Sequence, residues 1–458
     1  MNRSQMMSRR WFLGGLGAAA VSGCATSGRG TGCEEVRFAA IGVGGVGWGV
    51  TSSLIKAGAR LVAICDIDKG AIAAMSRKHP GVPCFTDYRR MLKEVGDTFN
   101  TVHVSTPDHT HAYIAIDCMN EGKNVYVQKP LARTVEECEA IRAVAARTGV
   151  VCQMGNQGHP GVARYDALKA ADKWGEVQEI ESWSDRPIWP QGMTEYPRPQ
   201  PFTSSVDAQS WDCWVGPSRD HGFNRAYHNF NWRGWWDYGC GAMGDMAVHN
   251  ADPAFHTFGL GLPVRVVGDT CGAGPVTIAY PKKSVVKMTF ANGMRFTWYD
   301  GGLKPEVRPN MIPGLKLGGN GLIIHGSKAT TYGGSHADKP RVIAAGDHAW
   351  NGESVRVRDA VEAEMEGVRP WDHVEEFLEA CKKGNPELCG SCPNYAAPLT
   401  EALLIGCISL RFPGRVLEFS PERMQFTNCA EANAFLKAPS RGAWDFAAVQ
   451  RERFSLWF

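Results

Sequence analysis

Several things are scarce in this sequence, and each scarcity narrows what the protein can do. Net charge is almost absent: 49 basic against 47 acidic residues leave +2, which gives no electrostatic footprint for a nucleic-acid partner. A long apolar run is missing too, since the stretch after Arg10 is brief and built of small residues, too short to span a bilayer comfortably. There is no internal repeat, and no low-complexity block beyond the N-terminal region. A second Cys-x-x-Cys is lacking, so Cys389 and Cys392 have no partner pair for zinc. That pair also lacks a strand-before, helix-after setting and reads as structural, with a local disulfide as the lesser alternative.

What remains is a chain of 458 residues, 44% hydrophobic and 21% charged, long enough for two domains with sizeable cores. Its 15 tryptophans and 52 glycines suggest aromatic binding surfaces and many tight turns. The start, "SRRWFLGGLGAAAVSGC", puts Arg9-Arg10 before Phe12-Leu13 and a weakly apolar run. This order resembles a twin-arginine export signal, which carries proteins already folded; a Sec-type signal or an uncut anchor is the plainer alternative. "VSGC" resembles a lipobox with Cys24 as the lipidated residue, and "ATSGRGTG" reads as a tether. The expected location is therefore periplasmic or membrane-anchored. Fourteen cysteines remain besides Cys24; Cys65, Cys118, Cys138 and Cys407 sit in apolar strand or helix patterns and read as small buried hydrophobes.

After residues 1–33, "VRFAAIGVGGVG" gives an apolar strand and then Gly42-x-Gly44-x-x-Gly47, followed by a helical pattern and a second strand ending at Asp66. In that setting the glycines have separate duties. Gly42 makes the tight turn, Gly44 admits a pyrophosphate to the backbone together with Gly45 and Val46, and Gly47 lets the helix pack on the strand. Asp66 stands where a carboxylate binds the adenosine ribose hydroxyls, which favours NAD over NADP. Strands and helices then alternate, as in a doubly wound parallel sheet. "STP" (Ser105, Thr106, Pro107) and "QKP" (Gln128, Lys129) fall at strand ends, where ligands bind in such sheets. Residues 34–155 read as this Rossmann domain and 156–458 as a second α/β domain with a mainly antiparallel sheet. "DHVEEFLEACKKG" and "APLTEALLIGCISLRF" read as amphipathic helices, and "QRERFSLWF" as a tail able to dock on a neighbour.

With Gly42-x-Gly44-x-x-Gly47, "CDID", "FTDYRRML", "VSTPDHTHAYIAIDCMNEGKNVYVQKPLA", "GDMAVH" and "GNGLIIHGSKATTYG" in hand, the chain from about Val36 onward resembles the Gfo/Idh/MocA oxidoreductase family. "GNQGHP", "RPIWPQG" and "YHNFNWRGWWDYGCGAMGDMAVHNADPAF" resemble its exported, twin-arginine branch more narrowly. The resemblance implies an open sheet that serves as a homo-oligomer interface (a dimer or tetramer), a nicotinamide cofactor touched also by His111, and three catalytic residues: Lys129, Asp245 and His249. Gln128 departs from the commoner Glu of the family motif; its neutral amide can still bond a ribose hydroxyl.

The chemistry agrees with these assignments. Oxidising a secondary alcohol needs a base for the hydroxyl proton, and an imidazole such as His249 suits it. Asp245 is one helical turn back, placed to orient that ring, and Lys129 can bond the substrate oxygen. Asp245, His249 and Asp252 would share one face of a single helix. Zinc on that face is the rival reading, but the spacing supplies too few ligands, so no metal is expected. On the substrate side, Arg186, Trp189, His228, Asn231, Arg233, Trp235, Trp236 and Tyr238, with Gln157 and His159, offer aromatic faces and polar groups for a sugar. About half of the tryptophans should instead be core. The expected function is an NAD-dependent oxidoreductase acting on a sugar, glycoside or related polyol, with a tightly held, internally recycled cofactor. The alternatives are an NAD-assisted glycosidase working by oxidation, elimination, hydration and reduction, and a non-catalytic surface lipoprotein that binds glycans or senses cofactor.

Overall fold

The computed structural model describes residues 32–306, 308, 316–344, 372–438, 441 and 444. The paired arginines, Cys24 and the tail "QRERFSLWF" lie outside the described residues. Strands β1 (Arg37–Ile41), β2 (Arg60–Cys65), β3 (Cys84–Phe85), β4 (Thr101–Val104), β5 (Asn124–Gln128) and β6 (Cys152–Gly155) form one sheet in the order β3-β2-β1-β4-β5-β6. Every neighbouring pair in it is parallel. The strand order reverses between β1 and β4, which opens a crevice at their C-terminal ends. Helices α1 (Gly45–Lys56), α2 (Lys69–Lys78), α3 (Tyr88–Val95), α4 (His111–Asn120) and α5 (Val135–Thr148) connect the strands. Local signals fix their ends: α5 opens with a capping box between Thr134 and Glu137 and closes on left-handed Gly149.

The second sheet has nine strands: β7 (Val177–Ser184), β8 (Pro263–Asp269), β9 (Val285–Phe290), β10 (Arg295–Tyr299), β11 (Asn320–Gly326), β12 (Ala329–Gly333), β13 (Arg341–Ala344), β14 (Leu417–Ser420) and β15 (Gln425–Phe426). Its order is β13-β12-β11-β7-β10-β9-β8-β14-β15, and only β7 and β10 run parallel. Between β6 and β8 lie α6 (Ala163–Ala170), α7 (Ala208–Val215), α8 (Gly241–Asn250) and α9 (Asp252–Phe258); α10 (His373–Lys383) and α11 (Pro393–Ser409) follow β13. Among the described residues no helix is long and apolar enough to cross a membrane.

Three sequence expectations need correction. First, α11 is not amphipathic: fourteen of its seventeen residues are buried, because it shares one core with Cys138, Ile141 and Val144 of α5 and with Met243, Met246 and Ala247 of α8. Second, a helix does follow the Cys-x-x-Cys pair, since α11 begins directly after Cys392; all fourteen described cysteines are nonetheless free thiols, with Cys65, Cys118, Cys138 and Cys407 buried. Third, Asp245, His249 and Asp252 do not share a helix. α8 ends at Asn250 and α9 restarts at Asp252, with Pro253 in its first turn, where a residue without an N–H fits best. The helix α10 also reaches back to the first domain, laying Val374, Phe377 and Leu378 with Phe38, Ala40 and Tyr126 of the parallel sheet.

Candidate active site

The crevice of the parallel sheet is lined by the glycine turn, Asp66, the β4–α4 turn, Gln128 and Lys129. Gly42 adopts φ +79°, and a Cβ there would come within 2.5 Å of the Ser105 carbonyl oxygen. A Cβ on Gly47 would overlap the Gly42 carbonyl, so this glycine lets α1 sit against β1. Gly44 is different: a Cβ there would meet nothing nearer than Ala71 at 3.9 Å. The protein itself leaves that space open at the N-terminus of α1, where backbone N–H groups attract an anion. Gly44→Ala should therefore keep the wild-type melting temperature and weaken NAD binding tenfold or more, as titrated by NADH fluorescence. Gly47→Ala should lower the melting temperature itself.

Asp66 holds the turn as well as facing the crevice. Its Oδ2 accepts N–H bonds from Val43 (2.8 Å) and Gly44 (3.3 Å), and its Oδ1 accepts one from Asp68 (2.9 Å). A carboxylate has lone pairs left for ribose hydroxyls. The side-chain nitrogen of Gln128 is buried without a partner among the described residues, a donor suited to an acceptor brought by the cofactor. Together with the open cradle at Gly44, this donor set fits a dinucleotide. His111 lines the crevice, as expected of a residue that touches the cofactor, and also braces its walls, with its ring nitrogens against the carbonyls of Pro130 (2.9 Å) and Thr106 (2.8 Å). The second domain adds Trp214, His228, Phe230 and Trp232 to the same crevice. His228, read from the sequence as a substrate residue, lines this crevice 3.8 Å from Asp68, together with Lys129 and Arg233.

At the other end of the crevice, α8 meets Lys129. The ammonium donates to Asp245 Oδ1 (2.6 Å) and to the Asp245 carbonyl (3.1 Å), which leaves one of its three donors for a substrate oxygen. Arg233 lies 3.2 Å from the same Asp245 oxygen and 3.1 Å from Asp108 Oδ1, while Asp108 Oδ2 accepts the Cys240 N–H. Two cations and two anions close a neutral buried cluster across the two domains. Burial pushes the Asp245 carboxyl up, but Arg233 and Lys129 outweigh it and hold its pKa below the ordinary value. Burial lowers the Lys129 pKa, opposed by Asp245.

The partner of His249 is not Asp245. Asn156 Oδ1 lies 2.7 Å from His249 Nδ1, and Asn156 Nδ2 donates to the Val248 carbonyl (3.1 Å). That second bond fixes which way the amide points, so Nδ1 must carry the imidazole proton and Nε2 the lone pair. Burial, then Lys129 and the stacked His336, hold the His249 pKa well below the usual imidazole value, so the ring is neutral. Asn156→Leu should lower kcat by about 10–100-fold with unchanged NADH affinity, and imidazole ¹⁵N shifts should show that the single tautomer is lost. Asn156 and Asp108 escaped the sequence reading, although Asp108 directly follows the Ser105-Thr106-Pro107 strand end and Asn156 lies within "GNQGHP", beside Gln157. His336 carried no signal beyond its residue type.

The aromatic roster divides. Trp235 donates to the Ala226 carbonyl and Tyr238 to the Arg219 carbonyl, both deep in a core with Trp211 and Trp214. Trp236 stacks on Tyr280 at 3.7 Å, beneath Arg411. These three are packing residues, corrected from the substrate roster: the polar tips of Trp235 and Tyr238 are bonded to carbonyls, and the Trp236 ring is covered by Tyr280 and Arg411, with its Nε1 buried and without a partner among the described residues. Trp189 remains near the cluster, with the Arg233 guanidinium 5.4 Å from its ring. Arg233 also stacks at 4.3 Å on Trp232, so it acts as a charge clamp on Asp245. Arg186 pairs with Asp185 (2.9 Å) and lies near enough to lower the Asp245 pKa. Asn231 is half-buried in the turn Asn231–Gly234, and Gln157 is exposed. His159 is spent elsewhere: with Tyr395 it bonds Asp252, which gives Asp252 a structural role. Among the described residues, no cluster of three or more His, Cys, Asp or Glu side chains can hold a metal ion.

A parallel crevice with this glycine turn and Lys129 at its edge, met by Asp245 and His249 from a second α/β domain, defines a two-domain oxidoreductase with an NAD-binding Rossmann fold. The family's sequence models match here, the NAD-binding Rossmann fold over residues 36–156 and the C-terminal α/β domain over 188–309. The chain belongs to the Gfo/Idh/MocA oxidoreductase family. It is 30% identical over 163 residues to scyllo-inositol 2-dehydrogenase (NAD(+)) of Bacillus subtilis, covering 35% of this chain and 45% of that one. It is 37% identical over 131 residues to α-N-acetylgalactosaminidase of Shewanella oneidensis, covering 26% and 28%. The chain thus spans less than half the length of these curated relatives. Its fold matches the WlbA dehydrogenase of Bordetella pertussis, solved with NADH and UDP-GlcNAcA, at a TM-score of 0.58 and 16% identity, over 85% of this chain and 99% of that one. Levoglucosan dehydrogenase with NADH and levoglucosan matches at 0.53 and 17% identity, over 84% and 99%.

Proposed function

We propose that the protein interconverts a secondary alcohol of a sugar, glycoside or related polyol with the corresponding ketone, using NAD that stays bound between turnovers. The observation that carries this is one imidazole lone pair, on His249 Nε2, in a ring close enough to Lys129 for the ammonium to depress its pKa, while Lys129 itself lines the nucleotide crevice with one donor unspent. NAD, when bound, supplies the hydride acceptor. His249 takes the hydroxyl proton at Nε2, and Lys129 stabilises the alkoxide that develops, held in place by Asp245 and Arg233. Trp189 and Arg186 supply a face and a donor for the rest of the sugar. The Trp214–Phe230 roof over the crevice supports retention of the cofactor, and so does a twin-arginine start that would export the folded, loaded protein to the periplasm or a lipid anchor at Cys24.

A second reading is redox-neutral glycoside cleavage, in which hydride leaves and returns within one cycle. It is favoured by the similarity to a named glycosidase and by a retained cofactor. Native mass spectrometry of the purified protein should show bound NAD(H); an empty protein that ignores added NAD overturns every redox version. Aryl glycosides and free sugars then separate the readings. Aglycone release without net NADH marks cleavage, a keto-sugar with reduced cofactor marks net oxidation, and binding without turnover leaves only a sensor.

A further inference from the structure

Resting on the second of these readings, redox-neutral glycoside cleavage, we propose that His336 is a second acid–base group of the same site, which takes the proton from the substrate carbon next to the one oxidised. His336 stacks on His249 with ring centroids 3.9 Å apart and planes inclined by 25°. Its backbone is left-handed at φ +60°, as is that of Ala337 at +51°, conformations that non-glycine residues seldom adopt and that collect at functional sites. The turn beneath makes room: a Cβ on Gly158 would come within 2.5 Å of the His336 backbone, and one on Gly161 within 2.5 Å of the Ala337 oxygen.

A hydrogen-bond chain sets the tautomer. Asn250 Nδ2 donates to the Trp183 carbonyl (2.8 Å), so Asn250 Oδ1 is an acceptor, and Ser335 Oγ donates to it (2.8 Å). The hydroxyl proton is then committed, and Ser335 Oγ accepts from His336 Nδ1 at 2.5 Å. The lone pair of His336 is therefore on Nε2, as in His249. Two neutral imidazoles thus stand side by side in one site, each with Nδ1–H pinned by the protein. They touch by faces, so neither passes its proton to the other. His249 is buried and His336 exposed, which lets the second ring exchange protons with water.

One hydroxyl needs one base, so the second ring needs another task. Once the alcohol becomes a ketone, the C–H on the adjacent carbon is acidified. His336 Nε2 takes that proton, and the C–H pair forms a double bond to the next carbon as the glycosidic oxygen leaves with its bonding pair. The leaving oxygen takes the proton from the His336 imidazolium. Water then adds its hydroxyl to the vacated carbon and its proton, through His336, to the carbon between, and the hydride returns. The sum is one glycosidic bond hydrolysed, with the cofactor in its starting redox state.

The test uses full-length holoenzyme, methyl 3-keto-glucoside as probe, and D₂O. Wild type should exchange the proton beside the carbonyl, read by ¹H NMR. His336→Asn, a residue that tolerates the left-handed backbone, should slow exchange by about 100-fold or more. NADH affinity and reduction of the keto-sugar by bound NADH should stay within a few-fold. Ser335→Ala, which frees the tautomer, should slow exchange by a smaller factor. Wild-type exchange in His336→Asn overturns the assignment, and so does equal loss of exchange and reduction, the mark of a binding group. A wild type that reduces the probe without exchanging it overturns the assignment while the sugar reading stands. A wild type that does neither overturns both.

Discussion

His249→Ala is expected to lower kcat by about 10²–10⁴-fold while NADH titration gives the wild-type affinity. The ring lies at the end of α8, and on the proposed mechanism its Nε2 takes the substrate proton, whereas the residues that line the nucleotide crevice belong to other elements. The pH profile should agree. A base works when unprotonated, and burial with Lys129 holds this imidazole well below its usual value. Wild-type kcat/KM should therefore stay flat through the pH range where an ordinary histidine gains its proton, and fall only at lower pH. Activity that survives the substitution would place the base elsewhere.

The second large effect concerns the charge cluster. Asp245→Asn keeps the shape of the side chain but leaves Lys129 and Arg233 buried beside one anion, Asp108, in place of two. Breaking a buried ion pair by removing one partner costs about 3–5 kcal/mol, so chemical denaturation should show a loss of that order. Turnover should fall as well, because the Lys129 ammonium loses its 2.6 Å anchor. The sign with pH follows from the depressed carboxyl pKa of Asp245. Its contribution is full above the unfolded pKa and is lost as pH falls through the lower folded value. The variant should lack that part of the acid destabilisation. Unchanged stability at neutral pH would mean that water, not Asp245, neutralises the cations.

Much of the nucleotide half is legible in the sequence because its signals are local. Gly42, Gly44 and Gly47 occupy one turn, and Asp66 ends the next strand, so spacing alone places them together. Lys129 and His249 needed the family pattern, since 120 residues separate them. What escaped was whatever depends on contacts between distant elements. Asn156 and His249 meet only when β6 reaches α8, and no periodicity announces which amide will orient a ring. Trp235, Trp236 and Tyr238 misled for the converse reason: a polar, aromatic loop looks like a binding surface until its indoles are seen bonded to carbonyls or stacked on neighbours. Asp252 misled because helical spacing runs on through Asn250, and only the Pro253 restart turns the carboxylate toward His159 and Tyr395.

The buried helix α11 has one further effect. It lies in a single core with α5 of the nucleotide domain and with α8, which carries Asp245 and His249. Two domains joined in this way are not modules. Cutting the chain after β6 would strip α5 of Ala402, Leu403 and their neighbours and expose a broad oily surface on the nucleotide half. The placement of Asp245 and His249 against the nucleotide domain is thus tied to the same core that folds that domain.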